Sequence, residues 1–366
     1  MSTFSVKVHK LIIAEHTNAD SLEIAKIGDY LSIVRKGQYR TGILAAYLPE
    51  QSIVPQNILE QLDMWDKENN KGKLSGSMGN RIKAIRLRQV LSQGIVYPAK
   101  QDWVEGQDVT KELGITKYEP EIPTYLSGEV YNAGPNIIPK FDIENIKNYP
   151  DVLQDGEPVV VTEKLHGSAC LVGILPISMD DDKHYLGRFI VASKGLGGKG
   201  LAFKHNDANK NNVYLRTLHE QGIFDKMSYF LTWPTPVFLL GEIFGKGVQD
   251  LTYGQQKPIF KCFNIRVGEG DNIPYPYYMD EEQLQHTLDM INVPRVPVLY
   301  RGPYGKEIVN QYTDGKETIS GTESNIREGI VITPQVERRD LTIGRVILKS
   351  VSEAYLLRKG NVTEYQ

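Results

Sequence analysis

The sequence predicts an α+β protein in which a small β domain precedes a larger domain of strands and helices. A length of 366 residues is sufficient for two domains. The first 115 residues alternate short strand-like runs with turn residues, which is typical of a small sandwich or barrel. Later in the chain, longer apolar runs with β-branched residues predict buried strands: 159–161, 236–244, 258–267, 330–332 and 344–350. Residues 280–291 and 350–359 are predicted to be helices.

The composition excludes several classes of protein. Hydrophobic residues make up 40% of the chain and charged residues 24%, which is ordinary for a soluble globular protein. No apolar run approaches the roughly 20 residues of a membrane span, and the first residues lack the apolar core of a signal peptide. Cys170 and Cys262 are too few for a disulfide framework. We therefore expect a cytoplasmic protein with no membrane partner and no obligatory protein partner.

Strand-like runs of the first domain follow one another closely: 5–14, 22–27, 31–34, 43–46, 81–87 and 94–97. Between them, the polar, glycine-bearing stretch 66–80 is predicted to be a mobile loop. The order of segments 16–28, 40–55 and 81–97 is similar to the OB-type domain of tRNA-binding modules. That resemblance implies an OB-fold barrel over residues 1–115.

A basic run in the first domain is the candidate nucleic-acid surface. Arg81 and Lys83 would share one strand face, as would Arg86 and Arg88, with no acidic residue nearby to offset them. A net charge of −3 gives no general attraction to nucleic acid, so a local patch such as this one is required. The alternative is a solvated edge strand whose charges prevent aggregation.

Residues 116–150 are predicted to be a linker. Prolines recur through this stretch and interrupt any long element. Its tyrosines could pack the linker against a domain or contact bases, and the sequence leaves both possibilities open.

The stretch 159–167 contains the candidate nucleophile. A buried strand formed by Val159, Val160 and Val161 leads directly into Glu163-Lys164-Leu165-His166-Gly167. Burial and nearby cations disfavour the ammonium form of a lysine at such a strand end and free its lone pair for attack. The alternative is an ordinary exposed lysine.

Glycines 195, 197 and 200 match the dinucleotide fingerprint G-x-G-x-x-G. We reject that interpretation because polar, Asn-rich residues follow where a packed helix should begin. The segment 241–247 also lacks the spacing and the Ser or Thr of a Walker loop. Any nucleoside triphosphate would therefore bind without a P-loop.

Charged residues accompany three later strands. Glu242 interrupts the apolar run 236–244, so it either faces a polar cleft or ends the strand. Glu328 directly precedes Gly329 and a buried strand, which suggests a cleft rather than a surface salt bridge with Arg327 or Arg338. Lys349 lies at the end of another apolar strand.

The order of these segments resembles the motifs of the covalent nucleotidyltransferases, the superfamily of ATP-dependent polynucleotide ligases and mRNA capping enzymes. The chain is most similar to RNA ligases with an N-terminal OB domain, whose nucleophile motif has the form Lys-x-His-Gly. The segments that carry the resemblance are 163–167, 193–194, 241–245, 260–265, 327–329 and 348–349. The resemblance implies an adenylyltransferase domain of antiparallel sheets with flanking helices over residues 151–366.

The resemblance also implies roles for individual residues. Lys164 would attack the α-phosphorus of ATP to give lysyl-AMP, with His166 and Lys349 as further catalytic residues. Glu328 would hold Mg²⁺ or Mn²⁺, because carboxylate oxygen suits these ions. Phe263 would stack on adenine and Glu242 would accept a hydrogen bond from the ribose. The implied cofactor-binding residues are Glu163, Gly167, Lys194, Glu242 and Phe263.

Two positions depart from the family pattern. The second motif usually carries arginine, but this chain has Lys194, which cannot form a bidentate fork. The fifth motif often has two lysines, and Ile347 occupies the place of the first. Whether Arg345 substitutes for that lysine stays open.

The resulting prediction is an ATP-dependent RNA ligase that seals 5′-phosphate and 3′-hydroxyl ends in RNA repair, on a nicked duplex or on broken strands. One alternative is a non-catalytic RNA-binding protein on a ligase-like core, against which Lys164, Glu242 and Glu328 argue. The other is a capping-type guanylyltransferase, disfavoured because those enzymes carry an OB domain after the fifth motif and few residues follow Ser350.

Overall fold

The computed structural model describes residues 4–119, 127–176, 189–268 and 276–358, which form two compact units. The smaller unit contains residues 4–119 together with 356–358, and the larger unit contains residues 127–355. Residues Val130–Asn132 and Glu144–Asn145, within the predicted linker, pair with strands of the larger unit. The predicted domain boundaries otherwise stay a prediction.

The smaller unit is built mainly of short antiparallel strands. Its elements are β1 (Lys7–Lys10), β2 (Ile12–Glu15), β3 (Leu22–Ile27), β4 (Tyr30–Arg35), β5 (Leu44–Leu48), β6 (Ser52–Ile53), α1 (Gln56–Gln61), β7 (Trp65–Asp66), β8 (Lys71–Gly72), β9 (Ile85–Leu87), β10 (Val90–Ser92), β11 (Ile95–Pro98) and β12 (Thr116–Lys117). Strands β2, β3 and β4 form a meander, and β5 pairs with both β1 and β11. Strand β5 is buried on both faces, because Ala46 and Leu48 pack into one hydrophobic cluster and Ala45 and Tyr47 pack into another.

The stretch 66–80, predicted to be a mobile loop, contains the short β7–β8 hairpin and is held by further backbone hydrogen bonds. The N–H of Gly72 donates to Met78 O at 3.0 Å, and the N–H of Leu74 donates to Gly79 O at 2.8 Å. Gly72 and Gly79 pack backbone on backbone, since a Cβ on Gly72 would lie 2.0 Å from Gly79 O. Glycine therefore serves close packing at these positions rather than mobility.

The larger unit contains the longer strands. Its elements are β13 (Val130–Asn132), β14 (Glu144–Asn145), β15 (Pro158–Lys164), β16 (Ser168–Ile174), β17 (Phe189–Ser193), α2 (Lys194–Gly198), β18 (Leu201–Phe203), α3 (Val213–Glu220), α4 (Ile223–Met227), β19 (Val237–Phe244), β20 (Ile259–Val267), β21 (Tyr277–Tyr278), α5 (Glu281–Met290), β22 (Val298–Pro303), α6 (Lys306–Thr313), β23 (Gly329–Pro334), β24 (Arg339–Asp340), β25 (Gly344–Arg345), β26 (Leu348–Val351) and α7 (Glu353–Leu356). No helix among the described residues is long and apolar enough to cross a membrane.

Two five-stranded sheets organise the larger unit. Sheet A has the order β14-β26-β23-β15-β22, and sheet B has the order β17-β16-β19-β20-β21. All pairs in both sheets are antiparallel except β14 with β26. The chain passes from sheet A to sheet B through the short loop 165–167, which joins β15 to β16. The predicted nucleophile therefore lies at the junction between the two sheets.

Most sequence-based element predictions in the larger unit are confirmed. Strands β15, β19, β20 and β23 lie where apolar runs predicted them, and α5 matches the predicted helix 280–291. The closing helix is shorter than predicted, because α7 spans only Glu353–Leu356. The sequence also predicts an acidic turn at 179–182, but these residues lie outside the part of the chain that the structure describes.

The rejection of the dinucleotide fingerprint agrees with the structure. Helix α2 is a single turn that ends at Gly198, before the third glycine of the fingerprint. Gly200 has a φ of +72° and leads into β18 instead of opening a helix. The fingerprint therefore lacks the helix N-terminus that would bind a pyrophosphate.

Gly329 allows β23 to approach β26, and we predict that Gly329→Ala is strongly destabilising. Its φ is +155°, and an added Cβ would lie 2.1 Å from Ser350 O. Strain and overpacking of this kind should lower the free energy of unfolding by at least about 2 kcal/mol. Calorimetric unfolding would measure the loss.

Gly156→Ala is the matched control, because Gly156 has a φ of +81° with no atom near its added Cβ, and only about 1 kcal/mol is expected. Equal losses in the two variants would contradict the role of close packing at Gly329.

Candidate active site

The Lys164 ammonium and the Glu328 carboxylate form the central contact of the site. Lys164 ends β15, and Glu328 directly precedes the neighbouring strand β23, where Lys164 is paired with Gly329. Nζ of Lys164 donates to Oε1 of Glu328, and the two side chains are only 18% and 1% exposed. The suggestion that Glu328 forms a surface salt bridge is therefore wrong, since its carboxylate is buried beside the predicted nucleophile.

Neither arginine that could have paired with Glu328 does so. The Arg327 guanidinium donates to the carbonyl oxygens of Tyr312 and Lys316, and Arg338 pairs with Glu157. The hydrogen bond from Ser352 N to Glu328 O, at 2.8 Å, fixes the backbone at the start of β23. Lys164 is thus the residue whose side chain donates a hydrogen bond to the Glu328 carboxylate.

The second oxygen of Glu328 has no hydrogen-bond donor among the described residues, although it is buried. An unsatisfied buried carboxylate oxygen costs free energy unless a cation or a donor reaches it. This oxygen fits a divalent cation such as Mg²⁺ or Mn²⁺, which binds one or two carboxylates and takes its other ligands from water and phosphates. Within the described ranges, no group of three or more His, Cys, Asp or Glu side chains forms a ready-made metal cage.

His166 is fixed by the protein on both sides of its ring. Nε2 lies 2.7 Å from Oδ1 of Asp250, and Nδ1 lies 2.9 Å from the Tyr355 hydroxyl. The backbone N–H of His166 donates to the Tyr253 hydroxyl at 2.7 Å. Burial, together with the charge of Glu328, raises the pKa of Tyr253 well above its usual value, so this hydroxyl remains protonated.

The loop after β19 contacts the nucleophile loop at successive residues. The Gln249 amide donates to Gly167 O, and Asp250 and Tyr253 hold His166 as described. Gly167 has no room for a side chain, because a Cβ there would lie 2.2 Å from Ile243 O. Sequence analysis missed Gln249, Asp250, Tyr253 and Tyr355. Gln249, Asp250 and Tyr253 follow the third motif directly, whereas Tyr355 lies in the closing segment 350–359, which the sequence predicted only as a helix.

Lys349 lies on the same face of sheet A as Lys164. Val331 of β23 is paired with Thr162 on one side and with Lys349 on the other. The side chains of paired residues point to the same face of a sheet, so Thr162, Val331 and Lys349 share one face. Lys164 follows Thr162 by two positions and therefore lies on that face as well. Among the described residues, none forms an ion pair or hydrogen bond with the half-buried Lys349 ammonium.

Glu242 and Phe263 lie on one face of sheet B. Glu242 is paired with Ala169 on one side and with Lys261 on the other. The preceding residue, Gly241, is paired with the core residues Cys170 and Cys262. A register shift between Leu240 and Gly241 leaves Phe263 as the extra residue of a β-bulge. Phe263 is half-buried and packs beside Phe141 with ring centroids 5.9 Å apart. Phe263 follows Lys261 by two positions on β20, so its ring lies on the face that carries Glu242.

Lys194 lies beside the pair of aromatic rings formed by Phe141 and Phe263. Its ammonium is 2.7 Å from Oδ1 of Asp142 and lies over the ring of Phe141, 5.5 Å from the centroid. The side chain of Ser193 caps the first turn of α2 by accepting from Leu196 N, which fixes the backbone at Lys194. The structure thus places Lys194 next to the Phe141–Phe263 pair.

Glu163 holds a neighbouring loop. Its Oε2 accepts hydrogen bonds from the Thr318 N–H at 3.0 Å and from the Thr318 hydroxyl at 2.6 Å. Its Oε1 is buried with no donor among the described residues, and burial raises the pKa of this carboxyl. One oxygen therefore has a structural contact that sequence analysis did not foresee, and the other has no hydrogen-bond partner among the described residues.

Arg345 is engaged by protein groups. Its guanidinium pairs with Glu337, donates to Oδ1 of Asn264 at 3.0 Å and lies over the Tyr278 ring, 3.6 Å from the centroid. These contacts hold the β24–β25 hairpin against sheet B. They give Arg345 a structural role, distinct from that of the lysine missing at Ile347.

The basic run of the smaller unit is not one continuous strand, so that expectation is wrong. Arg81 is buried, and its guanidinium stacks on Tyr118 at 4.2 Å from the ring centroid. Burial, then the charges of Arg81 and Arg358, lower the pKa of the half-buried Lys83. Arg86 is exposed on β9, and Arg88 is exposed in the turn to β10 with a φ of +47°. Arg86 and Arg88 are the two exposed members of the predicted set.

Comparison with known proteins agrees with this arrangement. A family model described as RNA ligase matches residues 157–351, more than half of the chain. The chain belongs to the RNA ligase family. A second model, described as an OB-fold domain, matches residues 5–99. No curated protein matches the sequence significantly.

Solved structures of Naegleria gruberi RNA ligase have the same fold over nearly the whole chain. A point mutant with ATP and Mn is 23% identical at a TM-score of 0.76, covering 96% of this chain and 98% of that one. The structure with PPi is 24% identical at a TM-score of 0.74, covering 96% and 97%. Another point mutant, with AMP and Mn, is 23% identical at a TM-score of 0.74, with the same coverage of 96% and 97%.

These findings confirm the predicted family, the α+β fold class with an N-terminal OB fold, and the prediction of an RNA ligase enzyme. RNA as the substrate class follows from the family. The roles of the individual site residues stay predictions.

Glu317 organises the loop that Glu163 contacts, and we predict that Glu317→Gln loosens it. The buried carboxylate accepts from the N–H groups of Ile319, Ser320 and Ser324. Burial alone would raise the pKa of Glu317, but these hydrogen bonds outweigh it and lower the pKa below the usual 4.5. The stabilisation is therefore present above that pH and is lost as the pH falls through the lowered pKa. At pH 7 we expect Glu317→Gln to cost about 2 kcal/mol.

Thermal unfolding of both proteins from pH 7 downward would measure this difference. The gap between wild type and Glu317→Gln should close below pH 4.5. Glu323→Gln is the control, since Glu323 is exposed on the same loop. A gap that stays constant with pH would contradict the role of the carboxylate.

Proposed function

We propose that this chain is an ATP-dependent RNA ligase that joins 5′-phosphate and 3′-hydroxyl RNA ends through a lysyl-AMP intermediate. The observation that carries the proposal is the buried contact between Lys164 and Glu328 at the junction of the two sheets. It joins an amine nucleophile to a carboxylate that has one oxygen left for a cation. Nucleotidyl transfer to lysine requires this combination of nucleophile, cation site and positive charge.

The first step would be attack by Nζ of Lys164 on the α-phosphorus of ATP, with pyrophosphate leaving and a phosphoramide bond forming. A carboxylate partner stabilises the protonated form of an amine, so the Lys164–Glu328 contact describes a resting nucleophile. A divalent cation on Glu328 would neutralise the carboxylate that stabilises the Lys164 ammonium. The Lys349 ammonium, on the same sheet face as Lys164, would neutralise the phosphates.

The nucleotide itself would bind beside sheet B. On the same face of sheet B, Phe263 would stack on adenine and Glu242 would accept a hydrogen bond from a ribose hydroxyl. Lys194, held by Asp142, would add positive charge near the phosphates. The ATP and Mn of the Naegleria structure support the choice of ATP and a divalent cation here.

Later steps would transfer the AMP to an RNA 5′-phosphate, and a 3′-hydroxyl would then displace it to seal the strand. The phosphate backbone of a nicked duplex or of broken ends must be held during these steps. Arg86 and Arg88, exposed on the β9–β10 hairpin of the smaller unit, are the proposed contacts.

We predict that the chain forms a covalent adduct with α-labelled ATP and Mg²⁺ or Mn²⁺ without any RNA. Lys164→Ala should form none, and Lys164→Arg should fail as well because a guanidinium stays protonated. Denaturing gel electrophoresis followed by detection of the label measures the adduct. Lys257→Ala is a matched control, since Lys257 is exposed and should leave the yield unchanged.

An adduct that persists in Lys164→Ala would overturn the choice of nucleophile. Labelling by GTP in preference to ATP would favour a capping-type guanylyltransferase. Absence of labelling by either nucleotide in the wild type would favour a non-catalytic RNA-binding protein.

We also predict that Arg86→Gln combined with Arg88→Asn weakens binding to nicked duplex RNA. Asparagine is chosen at position 88 because it tolerates the positive φ there. The slope of log affinity against log salt should flatten by about one unit for each phosphate contact that is lost. Fluorescence anisotropy at several salt concentrations measures this slope, and the AMP adduct should form normally.

The control removes the same charge from another part of the smaller unit by Arg35→Gln with Arg40→Gln, both exposed residues. An equal loss of affinity in the two double variants would show that the β9–β10 hairpin is not a specific contact.

A further inference from the structure

The turn between β9 and β10 has a backbone conformation that its residues disfavour. Leu87 is paired with Val90, so Arg88 and Gln89 form a two-residue hairpin loop. Their φ angles are +47° and +75°. A two-residue loop with positive φ at both positions is a type I′ turn, for which Asn-Gly is a favoured pair. A long side chain with a Cβ is costly there, so Arg88 and Gln89 are a poor choice for folding alone.

The loop 16–21, between β2 and β3, holds this turn in place. The ring of His16 is buried, and its Nε2 lies 3.3 Å from Leu87 O, which can only accept. Nδ1 of the same ring accepts from the Asn18 N–H at 3.2 Å, which orients Asn18. The Asn18 side-chain amide in turn donates to Arg88 O at 3.3 Å. Two successive carbonyl groups at the start of the turn are therefore fixed by a loop that precedes them by about 70 residues.

The two side chains of the turn are exposed and available to a ligand. Within the described ranges, no residue forms an ion pair or hydrogen bond with the side chain of Arg88 or of Gln89. Arginine and glutamine side chains donate hydrogen bonds to the phosphate and sugar groups of nucleic acids, and the arginine charge adds electrostatic attraction. A turn that is already fixed avoids the entropy cost of ordering these groups when RNA binds.

We propose that the Arg88–Gln89 turn is a preformed RNA contact and that Asn18, oriented by His16, is the residue that positions it. Arg88 would bind a phosphate, and the Gln89 amide would donate to the adjoining sugar–phosphate backbone. Backbone strain persists where the surrounding structure holds it, and here the strained turn carries the groups that bind. RNA is taken as the ligand from the proposed function, on which this assignment rests.

Gln89→Gly separates binding from folding. Glycine is favoured at this position of the turn, so the variant should unfold at a higher temperature than the wild type. Its affinity for nicked duplex RNA should nevertheless fall by about fivefold, because one hydrogen bond is lost. Fluorescence anisotropy measures the affinity, and its dependence on salt should stay the same because no charge is removed. Asn70→Gly is the matched control, since Asn70 is exposed with a φ of +47° in another turn of the smaller unit, and it should leave the affinity unchanged.

Asn18→Ala tests the positioning role. It removes the donor to Arg88 O but keeps both side chains of the turn, so affinity should fall by about fivefold with the same salt dependence. The same change should cost nothing further in the Arg88→Asn, Gln89→Gly double variant, which lacks the groups through which Asn18 acts. Asn69→Ala is the matched control, because the exposed Asn69 bonds only to Asp66 in the described part of the chain. Asn18 is exposed too, so circular dichroism should show both variants folded.

Unchanged RNA affinity in Gln89→Gly would overturn the contact at this turn. A loss from Asn18→Ala that persists in full in the double variant would overturn the positioning role. The AMP-adduct experiment fails independently of these measurements. The expected affinity losses without any adduct would refute the proposed ligase function and leave the RNA contact in place, whereas a normal adduct with unchanged affinity in both single variants would overturn the contact alone.

Discussion

The buried contact between Lys164 and Glu328 is the interaction on which the site depends. Removing one partner from a buried pair leaves an uncompensated charge, which typically costs about 3–5 kcal/mol. The pair also joins the end of β15 to the start of β23, so the register of sheet A and the position of the nucleophile are fixed together. Gly329 makes this register possible, because any side chain there would collide with β26.

Two loops complete the site around that pair. The loop after β19 holds the backbone and ring of the Lys-x-His-Gly segment through Gln249, Asp250 and Tyr253. The loop before β23 is held by the buried carboxylates of Glu163 and Glu317. Asn325 connects the loops, since its side-chain oxygen accepts from Tyr253 N at 2.8 Å. The nucleophile is therefore positioned by a continuous network of hydrogen bonds rather than by its own strand alone.

Local sequence was enough to predict the long buried strands of the larger unit, and the family resemblance predicted the order of the site residues. Buried strands such as β15 and β23 are runs of apolar, β-branched residues, and a charged residue at their ends stands out against them. The partners of His166 could not be predicted in this way, because Asp250 and Tyr355 lie 84 and 189 residues from it in the chain. The same limit applies to Arg81, whose burial depends on Tyr118. A pattern of charges shows which residues are ionic, but only tertiary packing decides which of them reach solvent.

Glu163 and Glu328 differ from Glu317 because each has a buried carboxylate oxygen without a hydrogen-bond donor among the described residues. Protein groups satisfy Glu317 completely, and its lowered pKa is that of a structural anion. Glu163 and Glu328 each give one oxygen to the protein and keep one buried oxygen without a donor among the described residues. Folding stability alone would favour an apolar residue or a second donor at such positions. Both residues belong to segments that the family resemblance singled out, and both flank Lys164, one in sequence and one across the sheet. A ligand bound at this site would give each unsatisfied oxygen the partner that the described residues do not supply.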